Sequence, residues 1–237
     1  MEISKGIEIV DLAIYIKDES TLIFGDLHIG YEEYIQKKGI LLPKFQTKEI
    51  IDTIKSIIKK TNPNTIIING DLKHDFGKNS EQEWKDIFKI INLIKSSCKT
   101  LIFIKGNHDN FLKTIAAQKN ITVLEKHQIK DTLITHGDKL IETNAKRIII
   151  SHEHPAITLK DQGKIEKYKC FLKGKWNNKE LIVLPSMNPL SYGSDVFSEK
   201  NFSPFVKDKS NFEVFISNDG EVFNFGKVKD FSGQEIN

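Results

Sequence analysis

The sequence predicts an α/β fold in which strands alternate with helices and the strand ends share one functional edge. Three apolar runs, at residues 21–24, 65–68 and 101–104, have the length and composition of buried strands. Each run is followed within two residues by a glycine and then by acidic, amide or imidazole side chains. Because ligands bind at the carboxyl ends of strands in open α/β sheets, we expect these polar residues to meet at one site.

Segments between these strands have the periodicity of amphipathic helices. Residues 47–60 place five isoleucines on one face, and Thr47 is the predicted N-cap. Residues 80–97 show a similar apolar stripe, with Ser80 as the predicted cap, and a shorter helix is predicted over 30–38. The alternation of strand and helix indicates βαβ units and a parallel sheet in the first half of the chain.

The second half of the chain consists of short segments that alternate apolar and polar residues. Strands are predicted at 121–125, 128–135, 147–151, 156–159, 165–172, 180–184, 212–217 and 221–226. The run Asn218-Asp219-Gly220 is typical of a hairpin turn. Because the sequence has no internal repeat and no low-complexity linker, we expect one domain over residues 1–227 and a loose polar tail at 228–237.

The composition argues against several classes of function. The formal net charge of +3, from 35 basic and 32 acidic residues, is too small to indicate nucleic acid binding by itself. Arg147 is the only arginine, so bidentate recognition of phosphate by guanidinium groups is nearly absent. Cys98 and Cys170 form no CxxC pattern, and the sequence has neither a signal peptide nor an apolar run that could span a membrane. We therefore expect a soluble cytoplasmic protein with no membrane partner.

Metal-ligating residue types collect at the predicted strand ends. Asp26 and His28 are two residues apart and would point the same way on an extended segment. The other members of the series are Asp71, Asn107, His108, His136, His152 and His154. With His74, these segments contain six of the seven histidines in the chain. A lone histidine is more often structural, but repetition at strand ends indicates a metal site.

The donor types suit divalent transition metals. Imidazole nitrogens combined with carboxylate and amide oxygens fit manganese, iron, zinc or nickel, and the lack of thiolates argues against a structural zinc site. The set is too large for one ion. It suits two ions about 3.5–4 Å apart with a bridging carboxylate, which is an arrangement that promotes phosphoryl displacement by an activated water.

The ordered motifs resemble those of the calcineurin-like metallophosphoesterases. They are Asp26-x-His28, Gly70-Asp71, Gly106-Asn107-His108-Asp109, His136 and His152-x-His154. One departure is Ser151, which stands where the family usually has glycine. The resemblance implies a four-layer α-β-β-α sandwich of two mixed sheets flanked by helices. It also implies two divalent metal ions, with Mn²⁺ as the first choice and Fe, Zn or Ni as alternatives.

The resemblance further implies a role for each residue. One metal would be held by Asp26, His28 and His154, and the second by Asn107, His136 and His152. Asp71 would bridge the two metals, and a hydroxide between them would be the nucleophile. His108 would not bind metal but would protonate the leaving oxygen or stabilise the phosphate.

Residues 70–75, Gly-Asp-Leu-Lys-His-Asp, favour one branch of this family. They lack the Gly-Asp-x-x-Asp-Arg-Gly motif of the protein Ser/Thr phosphatases. A histidine three residues after the bridging aspartate is similar to the SbcD-like nucleases, which makes His74 a second catalytic candidate; a surface-loop histidine is the alternative. The chain resembles the small archaeal SbcD-related and the bacterial DNA-ligase-associated phosphoesterases, including a loop at 184–191.

The expected function is therefore hydrolysis of phosphodiesters, with nucleic acid or nucleotides as candidate substrates. One alternative is a small-molecule phosphomonoesterase, and another is a non-catalytic interaction scaffold on the same fold, like the retromer subunit of this superfamily. Because every expected ligand and His108 are present, the enzyme is favoured. By resemblance alone, the expected partners are a second copy of the chain or a helicase or ATPase subunit.

Two further features of composition, a lysine-rich run and a group of phenylalanines, could each belong to a binding surface or have a purely structural role. Residues 160–179 contain seven lysines against two acidic residues, which suits either a nucleic acid edge or a solvated hairpin edge. The hairpin edge is favoured because lysine runs are common on solvated surfaces. The seven phenylalanines between residues 197 and 225 are expected in the core rather than on a binding surface.

Overall fold

Two β-sheets pack face to face, and helices flank them. The protein is represented by a computed structural model that describes residues 1–74, 81–109, 112–161, 164–198 and 200–231. The predicted Ser80 cap and the end of the predicted tail, from residue 232, lie outside the described residues. The predicted fold class, an α-β-β-α arrangement of two mixed sheets, is confirmed.

The first sheet carries the parallel strands that the sequence predicts. Among the described residues it has seven strands in the order β1-β2-β3-β4-β5-β6-β7. They are β1 (Glu2–Ser4), β2 (Ile7–Val10), β3 (Ala13–Ile16), β4 (Thr21–Phe24), β5 (Thr65–Asn69), β6 (Thr100–Ile104) and β7 (Thr122–Leu124). Strands β1 to β4 are antiparallel neighbours and β4 to β7 are parallel neighbours. The carboxyl ends of β4, β5 and β6 therefore lie at one edge.

Helices connect the parallel strands and cover the outer face of this sheet. They are α1 (Tyr31–Lys37), α2 (Gln46–Thr61), α3 (Glu81–Ser97) and α4 (Leu112–Lys119). The isoleucine stripes of α2 and α3 pack on Leu22, Phe24 and Phe103 of the sheet. Burial of these apolar faces stabilises helices that would be marginal alone.

The second sheet is also mixed. Its strands are β8 (Lys126–Ile129), β9 (Thr132–Thr135), β10 (Arg147–Ile150), β11 (Pro155–Asp161), β12 (Lys164–Trp176), β13 (Lys179–Val183), β14 (Ser194–Asp195), β15 (Glu213–Asn218) and β16 (Glu221–Lys227). The main order is β14-β11-β12-β13-β10-β9-β8, and β15 pairs with both β12 and β16. Strands β9, β10 and β13 are parallel, so they also end at a common edge.

The inner faces of the two sheets form an apolar layer between them. Ile23, Ile67 and Ile102 of the first sheet pack with Ile149 and Ile182 of the second. The outer face of the second sheet packs on Val196, Phe205, Val206 and Phe212 and on Val228 of helix α5 (Val228–Phe231). Since the sheets are fixed to each other by this layer, the polar strand ends of both sheets have fixed relative positions.

Several local predictions are corrected by the structure. Thr47 does not cap α2, because the helix begins at Gln46 and its N-cap residue is Phe45. The carboxylate of Glu32, from α1, instead accepts the N–H of Gln46 at 2.7 Å. Helix α4 was not predicted, because its apolar residues form only a weak stripe over eight residues.

The aromatic cluster divides between core and surface. Phe205, Phe212 and Phe215 are buried, as predicted, but Phe202 and Phe223 are about half exposed. At the C-terminus, Val228 is buried at the start of α5. No helix in the described part of the chain is both long and apolar enough to cross a membrane.

We predict that the layer between the sheets dominates stability. Ile149→Ala, at a buried position of this layer, should lower the free energy of unfolding by about 2–5 kcal/mol, because it leaves a cavity. The matched control is Ile165→Ala on an exposed position of β12, which should change it by only about 0.5 kcal/mol. Urea unfolding followed by circular dichroism measures both. Equal losses in the two variants would contradict this account of the core.

Candidate metal centre

Residues that follow five strands converge on one site. They come after β4 (Asp26, His28), β5 (Asp71), β6 (Asn107, His108), β9 (His136) and β10 (His152, His154). The ligand atoms of Asp26, His28 and His154 lie within 4.8 Å of one another, and so do those of Asp71, His136 and His152. The structure therefore brings together all residues that the sequence singles out as ligands.

The backbone at this site is left-handed rather than extended. Five of these residues have φ between +45° and +62°: Asp26, His28, Asp71, His152 and His154. The prediction that Asp26 and His28 lie on an extended segment is therefore wrong, although their side chains do converge. Hydrogen bonds between the neighbouring strand ends hold this backbone, with the N–H of Asp26 on Gly70 O at 3.0 Å and that of His28 on Asp71 O at 2.9 Å. Such conformations cost on the order of 1 kcal/mol or more each and cluster at functional sites.

Asp26 is the centre of the first group. It is buried, and its Oδ2 accepts the N–H of His152 at 3.1 Å and lies 3.2 Å from His154 Nε2. The Nε2 atoms of His28 and His154 are 3.4 Å apart. Burial and the neighbouring His154 lower the pKa of His28 to about 3, so the ring is neutral and offers a lone pair.

His136 is the centre of the second group. Its Nδ1–H donates to the carbonyl of Asn69 at 3.1 Å, which leaves Nε2 facing the site. That Nε2 lies 3.1 Å from Asn107 Oδ1, 3.1 Å from His152 Nδ1 and 3.5 Å from Asp71 Oδ2. A histidine held through its other nitrogen in this way is typical of metal ligands.

Asp71 lies between the two groups. Its Oδ2 is 3.7 Å from His28 Nε2 and 3.5 Å from His136 Nε2. Burial raises the pKa of this carboxyl, but its contacts with His136 and His28 outweigh burial and lower the pKa below its usual range. Asp71 is therefore a charged carboxylate in the position that a bridging ligand needs.

The donor set fits two divalent cations. Nitrogen atoms of neighbouring rings face each other, with His28 Nε2 3.4 Å from His154 Nε2 and His136 Nε2 3.1 Å from His152 Nδ1, and within the described residues Asp26 Oδ1 is buried without a hydrogen-bond partner. Burial lowers the pKa of His136, but Asp71 and Asp26 outweigh it and raise the pKa to about 9. A proton on His136 thus does part of what a cation would do, and metal binding would displace it.

His108 and His74 form a second unit beside Asp71. The Nδ1–H of His108 donates to the carbonyl of His74 at 2.7 Å, and His108 Nε2 lies 3.9 Å from Asp71 Oδ2. The two imidazole rings stack with centroids 5.8 Å apart. Tyr31 and Tyr34 of α1 pack their rings edge-on against His74 at about 4.5 Å, a contact that the sequence analysis missed. His74 is partly buried by these rings, whereas the alternative interpretation places it on an exposed loop.

A buried acidic residue next to the ligands, Asp109, fixes the backbone of the site. Asp109 accepts the N–H groups of Asp71 at 2.7 Å, Leu72 at 3.0 Å and Gly106 at 2.9 Å. It therefore holds the peptide of the predicted bridging ligand, Asp71. Burial and the charge of Asp71 raise the pKa of Asp109 to about 6.

The one departure from the family motif is accommodated locally. The hydroxyl of Ser151 accepts the side-chain N–H of Asn69 at 3.1 Å. A Cβ on Gly25 would come within 2.6 Å of this hydroxyl, so the glycine leaves the space that the serine uses.

The loop at 184–191 supports Asp26 from outside. Ser186 Oγ donates to the carbonyl of Asp26 at 2.8 Å, and Gln46 Nε2 donates to Asn188 Oδ1 at 3.0 Å. The ammonium group of Lys169 donates to the carbonyls of Ser186 and Asn188. This loop therefore lies beside the candidate metal centre, and Lys169 contributes to its support.

The lysine-rich run does not form one surface. Lys167 and Lys169 lie near the loop at 184–191, whereas Lys173 and Lys175 line a cavity of about 860 Å³ together with Lys146. Because Lys146 is at the amino end of β10, this cavity lies at the opposite edge of the sheet from the ligands. The run lies in the antiparallel hairpins β11–β12 and β12–β13, which agrees with the favoured hairpin interpretation, but its lysines are divided between the two ends of β12. The nucleic acid interpretation stays a prediction.

The candidate metal centre opens into a cavity of about 440 Å³. Its lining includes His28, Asp71, His108, His152 and His154. A cavity of this size suits a small organic ligand or one nucleotide. A phosphate that enters it would reach both ligand groups and His108.

The profile of one family, described as calcineurin-like phosphoesterase, matches residues 20–217. The chain belongs to this family. The fold and the two donor groups agree with its dinuclear metal centre. The predicted SbcD-related subfamily stays a prediction.

Several solved structures are similar to this chain, and a nuclease with a TM-score above 0.5 shows the same fold. The nuclease MPE of Pseudomonas putida has a TM-score of 0.67 at 17% identity, over 92% of this chain and 94% of that one. YfcE, a phosphoesterase from E. coli, has a TM-score of 0.43 at 12% identity, over 87% of this chain and 98% of that one. A Vps29 double mutant from Entamoeba histolytica has a TM-score of 0.36 at 14% identity, over 87% and 99%. No curated protein sequence matches the chain significantly.

We predict that Gly70→Ala impairs metal binding, because a Cβ at this position would lie 2.0 Å from His136 Nδ1. Displacement of that ring should weaken Mn²⁺ affinity by about 10- to 100-fold, as measured by isothermal titration calorimetry. Gly39→Ala is the matched control, because Gly39 also has a positive φ of +87° but no described atom lies within 4 Å of its added Cβ. Circular dichroism establishes that both variants fold. Equal affinities for Mn²⁺ would contradict the assignment of His136.

Proposed function

We propose that the protein is a dinuclear-metal phosphoesterase that hydrolyses phosphodiesters, with nucleic acid or nucleotides as its substrates. The observation that carries this proposal is the placement of two ligand groups on either side of Asp71, with His108 Nε2 3.9 Å from that carboxylate. Five of these residues line the same open cavity: His28, Asp71, His108, His152 and His154. A phosphate ester can therefore contact the metal ligands and a proton donor at once.

We assign each ligand of the candidate metal centre to one of two metal ions. Two bound divalent ions would supply positive charge to the phosphoryl group and lower the pKa of water. One ion would be held by Asp26, His28 and His154. The other would be held by Asn107, His136 and His152, and Asp71 would contact both ions. We propose Mn²⁺ as the native metal, because mixed imidazole and oxygen donors suit it.

His108 is the proposed general acid. Its Nδ1–H is committed to the carbonyl of His74, so the proton that reaches the substrate is the one on Nε2. That nitrogen lies 3.9 Å from Asp71 Oδ2, and both residues line the cavity, so a leaving oxygen bound there would be within its reach. His74 stacks on His108 and would keep its ring in this orientation, which gives the second histidine its proposed role.

A diester substrate is preferred over a monoester on two grounds. The motif Gly70-Asp71-x-x-His74 resembles that of nucleases, and the structure puts His74 against the proposed acid. The fold is shared with a protein described as a nuclease, the Pseudomonas putida MPE. A cytoplasmic location and a homodimer or a helicase or ATPase partner stay predictions.

The proposed reaction is tested by hydrolysis of bis-p-nitrophenyl phosphate and p-nitrophenyl phosphate. We expect no release of nitrophenol after chelation and faster release from the diester than from the monoester after Mn²⁺ is restored, because the site requires both ions. Activity on the monoester alone would move the assignment to a phosphatase. Inactivity on both substrates and on single-stranded DNA, with two metals bound, would favour an interaction scaffold.

We predict that His108→Ala retains both metals and slows turnover by about 10²- to 10⁴-fold, because it removes the general acid. Metal content by mass spectrometry and the turnover number on the diester measure the two effects separately. His127→Ala is the control, because His127 lies on β8, belongs to no ligand group and does not line the cavity. Loss of a metal from His108→Ala would make His108 a ligand and contradict its assigned role.

A further inference from the structure

Two exposed aromatic side chains lie at the mouth of the metal-lined cavity. Tyr192 is 72% exposed and Phe202 is 49% exposed, and both line the cavity that contains His108 and His154. Single exposed rings are common on protein surfaces. Two such rings at the opening of a polar site form an apolar surface beside the position of a bound phosphate.

The backbone around Tyr192 is attached directly to the metal centre. The N–H of Ser194 donates to the carbonyl of His154 at 2.7 Å, and Gly193 approaches the same carbonyl so closely that a Cβ would lie 2.5 Å from it. On the other side, the N–H of Leu190 donates to Asn188 Oδ1 at 3.0 Å. The exposed ring of Tyr192 is therefore presented by a fixed backbone.

Phe202 is attached to the same turn through a different residue. Glu153, between the two histidines of the turn, is buried, and its Oε2 accepts the N–H groups of Phe202 at 2.8 Å and Ser203 at 2.7 Å. One turn thus carries two proposed ligands and positions both rings.

Positive charge accompanies each ring. The ammonium group of Lys200 lies 5.0 Å from the centroid of Phe202, and that of Lys167 donates to the carbonyl of Gly193, next to Tyr192, at 2.7 Å. Aromatic rings with ammonium groups in their neighbourhood match a ligand made of flat bases joined by phosphates. A purely apolar or a purely anionic ligand would use only half of these groups.

We propose that Tyr192 and Phe202 form a base-stacking subsite for single-stranded nucleic acid, with the adjacent scissile phosphate at the metal centre. This inference rests on the proposed function and narrows its substrate class. A single strand is required because the faces of bases in a duplex are covered by their neighbours, whereas an unpaired base can lie on an aromatic ring.

The experiment compares two single-stranded oligonucleotides of the same length, one with normal bases and one with abasic residues. In the full chain with Mn²⁺, Tyr192→Ala and Phe202→Ala should each raise KM for the normal strand about 10-fold, because one stacking contact is lost. KM for the abasic strand and kcat on both strands should stay unchanged. Tyr192→Phe should restore the wild-type KM, since it keeps the ring.

Phe223→Ala is the matched control, because Phe223 is 46% exposed on β16 and does not line this cavity. It should leave both kinetic constants unchanged. If Tyr192→Ala and Phe202→Ala raised KM equally for the normal and the abasic strand, the two rings would have a structural role and the proposal would be overturned. It would also be overturned by unchanged constants for both variants, or by a wild-type preference for duplex over single strands.

Equilibrium binding separates this inference from the proposed function. Fluorescence anisotropy of a labelled oligonucleotide requires no turnover, and wild-type protein should bind the normal strand about 100-fold more tightly than the abasic one, which loses both stacking contacts. That difference without any hydrolysis would support the subsite and contradict the phosphodiesterase. Hydrolysis without any base-dependent difference would support the phosphodiesterase and overturn the subsite.

Discussion

A buried carboxylate, that of Asp71, is the constraint on which the candidate metal centre depends. A charge in this position costs several kcal/mol unless positive or hydrogen-donating groups surround it. The rings of His28 and His136 approach Oδ2 of this carboxylate, and the backbone N–H of His108 donates to its Oδ1 at 3.0 Å. Asp109 fixes the peptide from behind. The surroundings are therefore built for a carboxylate that shares its charge with cations.

The requirement for close approach explains the glycines and the backbone. A Cβ at Gly106 would lie 2.2 Å from Asp71 Oδ1, so the turn after β6 can come near only because that residue has no side chain. The left-handed conformations at Asp26 and His154 add strain that the surrounding sheets must oppose. The apolar layer between the sheets supplies this support, and it keeps ligands from both sheets in register.

The sequence predicts the fold class and the set of polar residues because each one directly follows an apolar strand. That signal is local, so Asp26, Asp71 and His136 stand out without any knowledge of the fold. The supporting contacts are not local: Lys169, Glu153 and Glu32 act on residues that are distant along the chain or that carry no pattern of their own. Their roles, and the division of the lysine run between two ends of one strand, require the pairing of β11, β12 and β13 to be known.

The most direct test of the central claim is a crystal structure with Mn²⁺ and anomalous diffraction at the manganese edge. The account predicts two peaks about 3.5–4 Å apart, one at Asp26, His28 and His154 and one at Asn107, His136 and His152, with Asp71 between them. A single peak would contradict it. So would a peak held by His28, His74 and His108, whose nitrogens also lie within 4.8 Å of one another, because His108 would then be a ligand and not an acid.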